Sequence, residues 1–158
     1  MTITYLLPAL LSLHLMALIL MAGTTLVDFI SLRTFWRLFK TQKEKAYNLL
    51  EVTSGFSRLI GIGAAVLILT GFGMMFVTHG VFGEQIWFRI KFGLVLLLVA
   101  NGIFIGRRLG LQLRKQMPVA DAALLEPVIR IRKNLNRFHL SQLFIFTVII
   151  ILSIFKFN

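Results

Sequence analysis

The sequence predicts an all-α integral membrane protein: an up-down bundle of four transmembrane helices with helical extensions on the cytoplasmic side. Three observations carry that expectation. Of the 158 residues, 58% are hydrophobic and only 15% charged, with a mean hydropathy of +0.86, whereas soluble domains hold about 45–50% apolar and about 25% charged residues. Four runs are long and apolar enough to cross about 30 Å of hydrocarbon, which takes about 20 residues of helix. The basic residues are gathered in two of the connections between those runs.

The first run covers 5–27. No positive residue precedes it and its apolar part exceeds a signal-peptide core, so it is expected to stay as an anchor. Segment 28–58 follows, with Arg33, Arg37, Lys40, Lys43, Lys45 and Arg58. Within it, Thr41-Gln42-Lys43-Glu44 has capping-box spacing and predicts a short helix through Ala46, Leu49 and Leu50. The second run, 59–77, contains Gly61, Gly63, Gly71 and Gly73. No strand precedes them, so they suit close helix packing and not a nucleotide loop. Connection 78–86 carries no Lys or Arg.

The third run, 87–105, opens at Trp87 and holds Arg89 and Lys91 near its start. Segment 106–137 then carries Arg107, Arg108, Arg114, Lys115, Arg130, Arg132, Lys133 and Arg137. Pro127 suits the first turn of a helix that runs on into the fourth run, 138–155, with Val128, Ile131 and Leu135 on one face. All four runs are apolar on every side, as lipid-facing helices are. By the positive-inside rule, 28–58 and 106–137 face the cytoplasm, while both termini and the short connection face outside. Tyr5 and Trp87 fall at the outer interface and Trp36 just past the inner one. The expected location is the bacterial cytoplasmic (inner) membrane, with 1–158 forming one domain.

The formal net charge of +11 comes from 17 Lys and Arg against 6 Asp and Glu. All but one of these net charges lie in the two cytoplasmic segments when Asp28 is counted with the first run. They therefore report topology, and predict attraction to anionic inner-leaflet lipids at about 1 kcal/mol per basic residue near the surface. No stacking platform or recognition motif accompanies the charge, so no nucleic-acid partner is expected. The chain has no cysteine, which excludes disulfides, thiolate metal sites and cysteine nucleophiles. Paired carboxylates, a Ser-His-Asp set and a phosphate loop are also missing, so any reactivity would come from a bound cofactor.

Ionisable groups inside a span are costly and mark candidate sites. His14 falls roughly 13 Å below the outer end of the first run. Two partners suit its imidazole: a haem iron or other metal, or the hydroxyl of Thr70 at similar depth on the second run. Lys91 lies about 6 Å from the outer end of the third run, within snorkelling reach of the interface. Met74 and Met75 fall at the same shallow depth. His14, Thr70, the methionine pair and Lys91 could thus converge in one pocket offering an imidazole or thioether to iron and a cation to a propionate; plain packing is the other reading of the methionines.

His139 sits at the cytoplasmic end of the fourth run, on the order of 10 Å or more from the depth of His14, so the two cannot share one iron. It is expected beside Asn101, Ser141 and Gln142 in a polar patch that holds helices together. His79 belongs to the outer connection, solvated or in contact with a surface copper or zinc ion. Asp28 and Glu84 each stand alone.

The stretch Trp87-Phe88-Arg89-Ile90-Lys91-Phe92-Gly93-Leu94-Val95-Leu96-Leu97-Leu98-Val99, followed by Gly106-Arg107-Arg108-Leu109, resembles the third span of the HemJ-type protoporphyrinogen oxidases and their CopD-like relatives. Leu13-His14 followed by Ala22-Gly23 is similar to that family's first span, Ile68-Leu69-Thr70-Gly71 to its second, and Arg137-Phe138 with Val148 to Lys156 to its fourth. The resemblance implies a haem b site with His14 as iron ligand and Lys91 as its essential partner. It implies oxidation of protoporphyrinogen IX to protoporphyrin IX, with porphyrinogen arriving from the bilayer and electrons leaving to an acceptor such as a quinone. The competing expectation is a non-enzymatic membrane protein, either a CopD-like copper-uptake relative or an accessory subunit of a larger complex. Small residues such as Gly61 and Ala65 suit packing within the chain or in a homo-oligomer.

Overall fold

The computed structural model describes residues 2–81, 83–116 and 126–155, and they are almost wholly helical. The helices are α1 (Thr2–Thr41), α2 (Lys43–Val52), α3 (Phe56–Val77), α4 (Ile86–Asn101), α5 (Arg107–Gln116) and α6 (Glu126–Ile154). Four helical stretches are long and apolar enough to cross a membrane: Tyr5–Thr41, Lys43–Val77, Ile86–Gln116 and Glu126–Ile154. With 40 residues, α1 is about 60 Å long, twice the thickness of bilayer hydrocarbon.

One stripe of α1 makes its buried contacts: Ala17, Met21, Thr25, Phe29, Phe35, Trp36 and Phe39 are all buried. Their spacing of three and four residues keeps them on one face of a helix. On α6 the same periodicity buries Val128, Ile131, Leu135, His139, Gln142, Phe146, Ile149 and Leu152. α1 packs between α3 and α6, and α6 between α1 and α4.

Two apolar cores result. The first joins Ala17 and Met21 of α1, Ala64 and Leu67 of α3, Leu98 of α4, and Phe146 and Ile149 of α6. The second joins Phe35, Trp36 and Phe39 of α1, Ala46 of α2, Leu109 and Leu113 of α5, and Val128, Ile131 and Leu135 of α6. The helical extensions expected from sequence are therefore present as a packed module. Its basic residues are exposed; Arg33 lies over the Phe29 ring at 4.4 Å and Arg132 over Trp36 at 5.7 Å.

The joint between α1 and α2 departs from the sequence expectation. Burial of Phe35, Trp36 and Phe39 holds α1 helical through Thr41, so Thr41 cannot serve as the N-cap of a capping box. Gln42 takes the N-cap position without a side-chain cap. Its N–H donates to Leu38 O (2.7 Å) and its carbonyl accepts from Ala46 N–H (3.1 Å). A 3-10 turn, Thr53–Gly55, leads into α3. After α3 the chain reverses at His79 (φ 51°) and Gly80 (φ 75°). Pro127 stands in the first turn of α6 as expected.

A single turn of π-helix, Gly102–Gly106, joins α4 to α5 without breaking the rod. Two glycines of α3 mark close approach to α1. A Cβ on Gly63 would lie 3.1 Å from Met21 Cβ and 3.3 Å from Ala17 O, and one on Gly73 would lie 3.3 Å from Leu10 Cδ2, whereas Gly61 has nothing within 4 Å. The tightest approach falls at the end of the π turn, where a Cβ on Gly106 would stand 2.6 Å from Phe138 Cζ.

Gly106→Ala is thus expected to destabilise the fold by about 1–3 kcal/mol through overpacking. Gly110→Ala, which meets nothing within 4 Å, is expected to be neutral or to stabilise by up to about 1 kcal/mol. Denaturant unfolding in detergent reads both, and Phe138→Leu in the Gly106→Ala background should recover part of the loss.

Candidate functional site

His14 of α1 faces Thr70 of α3, with Nδ1 at 2.8 Å from Oγ1. The hydroxyl of Thr70 is 3% exposed and is itself engaged. It donates to Val66 O at 2.7 Å, with Leu67 O at 3.2 Å. A threonine hydroxyl has one hydrogen. With that hydrogen committed to backbone carbonyls of the preceding turn, Oγ1 can only accept from His14. The tautomer that suits this arrangement carries its hydrogen on Nδ1 and its lone pair on Nε2. The Leu67 backbone is a further hydrogen-bond partner of the imidazole.

The sequence left two partners open for His14. The Thr70 hydrogen bond is present, and it uses the other ring nitrogen from the one a metal would take. A ligating histidine commonly donates its second N–H to an oxygen acceptor, which fixes tautomer and ring orientation. Lys91, half-buried on α4, is near enough for its charge to act on His14. The structure thus brings together His14 and Thr70, with Lys91 within reach of the imidazole by its charge alone. Met74 lies four residues on from Thr70, on the same face of α3. Met75 sends its methyl toward the connection, 3.7 Å from where a Cβ on Gly83 would stand.

Phe72 and Phe92 meet edge to face at 5.7 Å between α3 and α4, and Phe88 stacks on Phe92 at 6.5 Å. A turn along α1 from His14, an apolar groove of about 560 Å³ runs between α1 and α3, lined by Met16, Ala17, Gly63 and Val66 among others. Among the described residues no three His, Asp or Glu side chains cluster as a metal cage. A metal on His14 would have to bring most of its ligands with it, as a porphyrin does.

The polar patch expected at the other end of the bundle is present in part. Asn101 Nδ2 donates to Ser141 Oγ at 3.4 Å, and Gln142 Nε2 to Leu98 O at 3.2 Å. His139 turns away from it. Its Nδ1 meets Leu135 O at 2.8 Å and its Nε2 meets Asp28 Oδ2 at 3.1 Å. The expectation that Asp28 stands alone is therefore corrected: 111 positions separate the pair, and only the packing of α1 against α6 joins them. One signal was available, since Asp28 and His14 lie on the same 3.6-residue stripe of α1. His79 and Glu84 are exposed. Two buried polar atoms lack a hydrogen-bond partner among the described residues, Trp36 Nε1 and Gln142 Oε1.

Comparison with family models, curated proteins and solved structures gives no match. The class that fold and composition define is a multi-pass helical membrane protein; the resemblance to the oxidase family stands on the quoted residues, of which Lys156 lies outside the described ones.

Thr70→Val keeps side-chain volume but strands the Nδ1–H of His14, and should cost about 1–3 kcal/mol in unfolding free energy. Thr70→Ser, which restores the acceptor, should recover most of that loss in the same measurement.

Proposed function

We propose that this is a redox protein of the bacterial inner membrane that holds haem b on His14. Its spans form an up-down bundle with both termini outside and the basic module in the cytoplasm. The observation that carries the reading is the hydrogen-bond chain His14–Thr70–Val66, which turns Nδ1 toward Thr70 and orients the imidazole within an apolar helix pair. A histidine that holds a metal commonly donates its other ring N–H to an oxygen in this way. Lys91 supplies a cation beside it, suited to a propionate carboxylate. The groove along α1 offers apolar surface to a planar ring.

Bound haem supplies one-electron chemistry, which the side chains alone do not. The protein's own part would be to hold the iron through His14 and to balance carboxylate charge through Lys91. The reaction assigned on this reading is the six-electron oxidation of protoporphyrinogen IX to protoporphyrin IX, with His14 and Lys91 as the catalytic pair and the electrons leaving to an acceptor such as a quinone. Purified protein should show a Soret band that is lost in His14→Ala and kept in His139→Ala. Colourless protein from haem-replete cells would overturn the reading and favour the accessory-subunit or copper-uptake alternative.

Orientation has its own support in the exposed basic residues. Arg33, Arg58, Arg107, Arg108 and Arg137 stand within about two helical turns of the expected membrane edge. Anionic phospholipid should co-purify in excess over zwitterionic lipid when read by native mass spectrometry. Replacing Arg33, Arg107 and Arg108 with Gln should weaken that preference by about 1 kcal/mol for each residue.

A further inference from the structure

The register of α1 against α6 brings two arginines and a buried indole to one place on the basic module. Phe29 of α1 stacks on His139 of α6 at 5.9 Å, and Trp36 of α1 receives the Arg132 guanidinium of α6 at 5.7 Å. The two helices therefore run antiparallel along this seam. Arg33 falls between those contacts, its guanidinium on the Phe29 ring at 4.4 Å. It stands at i, i+3 spacing from Trp36, which makes the two neighbours on the surface of α1. Phe35 and Phe39 meet the indole edge to face at 4.9 and 6.4 Å and hold it in place.

All three groups are donors in want of an acceptor. Arg33 and Arg132 are exposed, and no described carboxylate pairs with either. Asp28, the nearest acid in sequence, is taken by His139 at 3.1 Å. Trp36 is 7% exposed, and its Nε1–H meets no acceptor among the described residues. An indole nitrogen can only donate, and a buried donor is expensive to leave unmet. We propose that Arg33, Trp36 and Arg132 form a phosphate-binding site on the seam between α1 and α6.

A phosphate group spreads its negative charge over several acceptor oxygens, enough for two guanidinium forks and an N–H at once. Arg132 lies over the indole; drawn toward the anion, it lets a phosphate oxygen reach Nε1. Arg33 and Arg132 each stand about 9 Å beyond the nearer apolar run, and headgroups fill about 5–8 Å outside the hydrocarbon. A lipid headgroup and a soluble phosphate arriving from the basic side both have access to long arginine side chains there. The membrane orientation proposed above enters only in the first of these sources. Trp36 lies about 33 Å along α1 from His14, so the site works whether or not His14 holds haem.

The chain has two tryptophans. Labelled at the indole nitrogen, the full-length protein gives two indole N–H signals in NMR, that of Trp36 being the one lost in Trp36→Phe. In maltoside micelles, which bring no phosphate, inorganic phosphate is titrated into one sample and phosphatidylglycerol into another. A saturable displacement of the Trp36 signal is expected, with the Trp87 signal in place as the sign of an intact fold. Displacement by the lipid alone assigns the site to a headgroup, and displacement by inorganic phosphate to a soluble ligand. Arg33→Gln and Arg132→Gln should each weaken apparent affinity about tenfold or more, whereas Arg114→Gln, which removes an exposed cation of α5, should leave it unchanged. A Trp36 signal that neither source moves, or an equal loss in Arg114→Gln and Arg132→Gln, would overturn the proposal.

Discussion

A helix in hydrocarbon must satisfy its backbone N–H and C=O groups within itself, and α1 runs helical for 40 residues, with Pro8 near its start giving up one such bond. That unbroken rod is the frame on which the other elements are placed. Its single buried stripe meets α3 through Ala17 and Met21, α6 through Asp28 and Phe29, and the basic module through Phe35, Trp36 and Phe39. A break near the end of the first apolar run would leave the module without its aromatic core. Burial of those three aromatics overrides the capping signal at Thr41.

Two histidines lie on this scaffold with opposite hydrogen-bond environments. At His14 the partner of Nδ1 is a hydroxyl whose own hydrogen is spent on Val66. At His139 a carbonyl and a carboxylate occupy both nitrogens. The first imidazole joins α1 to α3 through a hydroxyl, the second joins α1 to α6 through a carboxylate. Residue type alone does not distinguish them; the donors and acceptors around each ring do.

Close backbone approach explains where the glycines matter. Gly63 lets α3 sit against Met21 and Ala17, and so sets the spacing at which Thr70 reaches His14. Gly106 gives Phe138 room at the end of the π turn, beside the residue that pairs with Asp28. π turns within α-helices are frequent at functional sites, and this one lies against the polar end of α6, with Gly102 next to Gln142.

Composition by itself determined that the chain is helical and suited to a membrane, because only helices or closed barrels satisfy the backbone in lipid, and four runs have helix-spanning length. The same arithmetic placed His14 and Thr70 at matching depth, since helical rise converts position into height. What the apolar runs could not disclose was which face of each helix turns inward, because they are apolar on every side and periodicity carries little signal there. Tertiary structure decided that. It packed the described residues of segments 28–58 and 106–137 into one module, paired Asp28 with His139, and set Thr70 against His14. Each depends on atoms of separate helices meeting within about 3 Å, a distance that position along one chain does not encode.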